Sequence, residues 1–188
     1  MPPAANAIRS WGTTRAERAA PYPCDQHIDD SAATAFRAVD VEAPPEVTFR
    51  WLCQLRVAPY SYDRLDNFGR QSPQRLVDGL DHLEIGQRFM SIFELVDFEP
   101  DRQITLLLVR AEAIFGNVAV TYLVKPRPKG KSRIVVKLRW RLPARLTLLQ
   151  RFLPLESAAL LGDLVMMRKQ LLNLKRLAES EGSPGGRA

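Results

Sequence analysis

Cysteine and histidine are scarce in this chain of 188 residues: only Cys24 and Cys53, His27 and His82. Two cysteines are too few for a disulfide scaffold. A chain this long buries enough surface to hold a core without one. The gaps between Cys24, His27, Cys53 and His82 do not match usual zinc spacing, and no other cofactor pattern stands out. No Gly-x-Ser-x-Gly elbow, phosphate loop or dinucleotide fingerprint occurs, so covalent and nucleotide chemistry have no motif. Long apolar runs are also missing. The longest uncharged one, residues 113–124, contains Gly116 and Asn117, and a membrane-spanning helix needs roughly 20 apolar residues. The first residues lack the apolar core of a secretory signal. A cytoplasmic protein with both thiols reduced is expected.

Hydrophobic residues make up 46% and charged residues 26% of the chain, which excludes disorder of the whole and predicts one globular domain. The net charge of +6 is local. Residues 125–151 hold ten cations (Lys125, Arg127, Lys129, Lys131, Arg133, Lys137, Arg139, Arg141, Arg145 and Arg151) and no Asp or Glu. Against the 17 basic residues left elsewhere stand 21 acidic ones. Any anionic partner would therefore meet that one segment.

Along the chain, residues 1–33 form an Ala-, Pro- and Asp-rich extension expected to wrap the domain. Within it Thr14-Arg15-Ala16-Glu17 fits a capping box. Residues 34–180 are the domain, and 181–188 have the composition of a disordered tail. Alternation predicts a strand over 35–41, stopped by Ala43-Pro44-Pro45. Pro45 and Glu46 suit the first turn of a helix over 45–55. Residues 56–87 are polar and irregular, with one helical turn expected at 72–76. Strands are predicted over 89–98, 104–109, 118–124 and 134–142, the last two joined by a hairpin turn at Gly130. Short links imply an antiparallel sheet. Leu160, Leu164, Met167, Leu171, Leu174 and Ala178 repeat at spacings of 4, 3, 4, 3 and 4, which predicts a long C-terminal helix. Its apolar stripe either covers the sheet or dimerises, and cover is the expectation.

Three stretches carry a resemblance: the strand–Ala43-Pro44-Pro45–helix entry through Trp51-Leu52, the polar segment Tyr60-Ser61-Tyr62-Asp63 through Arg70, and the helix segment Gly162-Asp163-Leu164-Val165-Met166-Met167 through Leu171. Together they resemble the SRPBCC superfamily, which includes START-like lipid-transfer proteins, pollen-allergen-type proteins and polyketide cyclases. The second and third are similar to a bacterial subgroup. The resemblance covers residues 34–178 and implies an α+β helix-grip fold, a curved antiparallel sheet wrapped around the C-terminal helix with an apolar cavity between them. Members of the superfamily bind lipids, sterols, quinones or polyketides there, and some assist polyketide cyclisation and dehydration.

That cavity makes Trp51, Tyr60, Tyr62, Asp63, Arg70, Met90, Tyr122, Trp140, Leu164 and Met167 the candidate ligand contacts. Residues 60–70 concentrate phenols, carboxylates and guanidinium groups, which suits either a polar rim for a ligand or a structured loop. Val136, Leu138, Trp140 and Leu142 share one strand face, which must point at the helix. Val118, Val120, Tyr122 and Val124 share a parity on the neighbouring strand, where alternation leaves the inner face undecided. Met166 and Met167 suit a wall that adapts to a flexible ligand, or ordinary gap filling. The expected function is binding or transport of a small hydrophobic ligand without turnover. A polyketide cyclase or dehydratase is the alternative, with Tyr60, Tyr62, Asp63 and Arg70 as its polar groups. A third reading uses residues 125–151 as a basic face, solvated or set against an anionic membrane. Nucleic acid is disfavoured, because no aromatic platform interleaves the cations.

Overall fold

Alternating residues of successive strands build one sheet with two different faces. The computed structural model describes residues 9–62, 69–143 and 155–182. In chain order these form β1 (Ser10–Trp11), α1 (Arg15–Ala19), β2 (Ala33–Val41), α2 (Pro45–Cys53), β3 (Arg88–Phe89) and β4 (Phe93–Glu99). β5 (Gln103–Leu108), α3 (Glu112–Phe115), β6 (Asn117–Arg127), β7 (Lys131–Arg141) and α4 (Leu155–Gly182) follow. The described strands form one seven-stranded sheet in the order β1-β2-β7-β6-β5-β4-β3. All neighbours are antiparallel except β1, which runs parallel to β2 at the edge.

Register assigns the faces. Trp140 pairs with Ala33 and Val118, Leu138 with Ala35 and Val120, and Val136 with Arg37 and Tyr122. These residues share the inner face, with Leu106 and Ile104 continuing it on β5. Leu171, Leu174, Leu177 and Ala178 of α4 are buried against this face together with Trp51 and Leu52 of α2. A sheet with one apolar face is thus covered by the amphipathic helix, the helix-grip arrangement. α2 starts on Pro45, whose fixed φ suits the first turn.

Three expectations need correction. The strand over 89–98 is two strands, because Met90 and Ser91 take left-handed backbone conformations and turn the chain between β3 and β4. Residues 72–76 form no helical turn. The stretch bends at Gln74 and Arg75 instead, and just beyond it the buried Gln54 side chain bonds both the N–H and the carbonyl of Val77. The helix expected over 45–55 is α-helical only to Cys53 and finishes as a 3-10 turn, Gln54–Arg56.

The outer face is covered too. Tyr22, Cys24 and Ile28 pack on Ala38, Ala119 and Val135 in a second apolar cluster. α1 opens with the capping box expected from the sequence. The Thr14 hydroxyl accepts from the Glu17 N–H at 3.2 Å, and the Glu17 carboxylate from the Thr14 N–H at 2.8 Å. Thr14→Ala should destabilise the fold by about 1 kcal/mol in urea melts. An unchanged midpoint would mean that α1 does not depend on its cap.

Candidate functional site

The inner face of β2 reads Ala33, Ala35, Arg37, Val39, Val41, one cation among small apolar residues. Arg37 is 1% exposed. Its guanidinium donates to the Phe36 carbonyl at 2.8 Å and to Asp163 Oδ2 of α4 at 2.8 Å, and its Nε has no partner among the described residues. The Asp163 side chain keeps 21% of its surface exposed, so the pair runs from the interior toward the open side. Burial raises the Asp163 carboxyl, and the Arg37 charge and hydrogen bond only partly oppose this. Burial likewise lowers Arg37 against the pull of Asp163. Both shifts point toward neutrality, as expected where desolvation outweighs the ion-pair attraction.

Arg37, Val136, Tyr122 and Ile104 form one row across four strands. The Tyr122 hydroxyl is therefore carried two strands away from Arg37, with backbones roughly 10 Å apart. That hydroxyl donates to Gln170 Oε1 at 2.7 Å and lies 3.7 Å from Met167 Sδ. Gln170 Nε2 donates in turn to the Pro59 carbonyl at 2.7 Å and lies 3.4 Å from Met90 Sδ. Burial, reinforced by the Asp163 charge, pushes the Tyr122 phenol far above its ordinary value. It is a hydrogen-bond donor and not a base.

The structure brings Met90, Tyr122 and Met167 together around Gln170. Trp51 and Tyr60 meet edge to face at 6.1 Å, and the buried Trp51 Nε1 has no hydrogen-bond partner among the described residues. Trp140 donates to the Phe115 carbonyl at 2.6 Å. Leu164 is half-buried on α4. Tyr62 and Arg70 are exposed at the surface. Asp63 lies outside the described residues. The sequence reading missed Arg37, Asp163 and Gln170. Their signals were a cation on the inner parity of β2, and the spacing of Asp163, Met167, Gln170 and Leu174, which also puts them on one helical stripe.

The basic segment is not a solvated ladder. Lys137 pairs with Asp25 at 2.7 Å, and Arg139 with Asp25 at 3.3 Å and Asp30 at 3.7 Å. Arg141 pairs with Asp29 and Lys131 with Glu42. Arg133 is held between Glu17 and Asp40. The acidic N-terminal segment lies over these cations and uses their charge. Lys125 and Lys129, at the hairpin tip, make no ion pair among the described residues. Arg145 and Arg151 lie outside them.

A separate open cleft of about 450 Å³ lies on the outer side, between Pro21-Tyr22-Pro23 and Phe98, Arg102 and Leu123. Its Asp97 and Glu99 are already bonded to Gln103 and Arg102. Cys24 and Cys53 sit in different layers, each buried with its thiol pushed up by desolvation. Among the described residues no helix is long and apolar enough to cross a membrane.

No protein-family model matches the chain, and neither does any curated protein. Solved structures do match. The Zhui aromatase/cyclase of a Streptomyces species aligns over 84% of this chain and 99% of its own, at 15% identity and a TM-score of 0.52. A Polyketide_cyc-like protein of Corynebacterium glutamicum aligns over 85% of this chain and 99% of its own, at 15% identity and a TM-score of 0.48. A Thermus thermophilus protein aligns over 80% and 100%, at 16% identity and a TM-score of 0.47. At such identity the Streptomyces match establishes the shared helix-grip fold.

Proposed function

We propose that this chain is an SRPBCC-type carrier that binds a small hydrophobic molecule between the inner sheet face and α4, without turning it over. The observation that supports this is the uneven burial along α4. Gln170, Leu171, Leu174, Leu177 and Ala178 are buried, whereas Asp163, Leu164 and Met167, one to two turns earlier on the same side, are only half-buried. The grip is tight at its C-terminal end and less closed around Asp163, which bonds Arg37 of β2, while Ala33 and Ala35 continue the inner face of that strand with short side chains. Walls that are mostly apolar with a few placed polar groups fit a small-molecule site. A ligand losing about 300 Å² of apolar surface there gains roughly 7 kcal/mol.

Nile red, a neutral apolar dye, is a direct test. Blue-shifted, saturable fluorescence is expected, with affinity reduced about tenfold or more by Met167→Trp, which fills the looser half of the grip. No saturable binding, or equal affinity in the variant, defeats the proposal. A polyketide cyclase-type enzyme is the second reading. It is favoured by one observation, the half-buried Asp163 carboxyl held 2.8 Å from Arg37 and raised above its ordinary value by burial, the direction of shift a general base needs.

A further inference from the structure

A buried guanidinium is an expensive residue to place on an apolar sheet face, so Arg37 needs a reason beyond packing. A well-packed hydrophobic pair in place of a buried ion pair is often neutral or stabilising. Arg37 is also under-used where it stands. Two of its donors are engaged, by the Phe36 carbonyl and Asp163, while the buried Nε has no partner among the described residues. Its one charged partner sits on the looser half of α4 and reaches toward solvent. Asp163 can therefore turn outward, whereas Arg37, on a central position of β2, stays buried. The neighbouring positions on the inner face and along α4 are apolar: Val39, Val136, Leu138 and Met167.

We propose that Arg37 is the head-group site of the grip, selecting an apolar molecule that carries one anionic oxygen group, a carboxylate or an enolate. This rests on the hydrophobic-ligand reading above and adds the ligand's class to it. Asp163 is the resident counter-ion that the ligand's oxygens displace. A planar fork with an unused Nε–H can receive two oxygens side by side, which a single contact to Asp163 Oδ2 does not use. Discrimination follows from the cost of the alternative. A neutral ligand that pushes Asp163 aside leaves Arg37 buried and unpaired, and one that leaves the pair intact gains nothing from it. Tyr122 does not compete for this role, because its hydroxyl is committed to Gln170.

The test compares dodecanoate with dodecanol by isothermal titration calorimetry on the full chain. The wild type should bind the acid at least about tenfold more tightly than the alcohol. Asp163→Asn removes the competing anion and should tighten the acid further, leaving the alcohol unchanged. Arg37→Gln should abolish the preference. The first two arms stand even if Arg37→Gln fails to fold. Equal binding of acid and alcohol by the wild type overturns the head-group assignment and leaves the hydrophobic-ligand reading in place. Weaker acid binding by Asp163→Asn also overturns it, because the pair would then be architectural. Binding of neither probe overturns both.

Discussion

Glu17→Gln is expected to destabilise the fold by about 3 kcal/mol, with a lower urea midpoint and an unchanged slope. Arg133 projects from β7 onto the outer face, where it is 6% exposed. Its Nε donates to Glu17 Oε1 at 2.7 Å and its Nη2 to Oε2 at 3.1 Å, a two-pronged contact. The remaining bonds go to the Gly12 carbonyl at 2.6 Å and to the exposed Asp40 carboxylate at 2.9 Å. Glu17 is thus the buried counter-charge, and it also closes the capping box of α1. An amide of the same shape keeps the packing but leaves the guanidinium facing a neutral group in a desolvated place. A loss below about 1 kcal/mol would put this pair in the range of exposed ion pairs and assign the balance to Asp40.

The same contact predicts how the protein behaves in acid. Burial by itself would raise the Glu17 carboxyl. Arg133 and the Thr14 N–H outweigh burial and hold it down, from 4.5 to about 2. A carboxylate depressed by folding stabilises the fold at every pH above its unfolded value. That stability is lost as pH falls from about 4.5 to about 2, where the folded state also takes up the proton. The wild type should lose about 3 kcal/mol across that window, and the E17Q variant should lack this share of the loss. Asp25, lowered by Lys137 and Arg139 against its own burial, acts in the same direction. Acid should therefore loosen the N-terminal segment before it opens the grip. Hydrogen exchange of Tyr22–Ile28 against Leu171–Ala178 can order the two events. Simultaneous loss of protection would contradict this order.

Most of the inner architecture was legible because it depends on period. Strand alternation fixed the face of Trp140, whereas that of Tyr122 follows only from the β6–β7 register, and the 4-3-4 spacing located α4 and the side it buries. The helix entry at Pro45 was legible because proline acts locally. The outer layer was not, because it depends on pairings across about a hundred residues, such as Glu17 with Arg133 and Asp25 with Lys137. In the sequence the cations of β7 look like an unopposed run, and only the fold lays the acidic extension over them. Arg37 was overlooked for the opposite reason. Alternation does place it inside, but a strand's parity alone gives no cause to expect a cation there, and its partner lies on a helix 126 positions away.

Gly116→Ala should destabilise by about 3 kcal/mol or more, through backbone conformation and overlap together. Gly116 lies between α3 and β6 with φ 78° and ψ −159°, a region essentially restricted to glycine. A Cβ there would sit 1.9 Å from the Arg141 carbonyl oxygen and 2.9 Å from the Pro143 nitrogen, both backbone atoms that cannot swing aside. Relief requires moving the start of β6 off the end of β7, where Asn117 and Val118 pair with Arg141 and Trp140. The Phe115 carbonyl that holds the Trp140 indole would move with it. Gly130 is the internal comparison. It also has positive φ, 64°, but open space where its Cβ would be. Gly130→Ala should therefore cost only the left-handed conformation, about 1 kcal/mol. Paired urea melts separate the two contributions. If both variants lose the same stability, the close approach at Gly116 is relieved at no cost, and the register linking Trp140 to the inner face is softer than its pairing implies. A large difference instead makes this contact the point that holds the looser end of the grip in place.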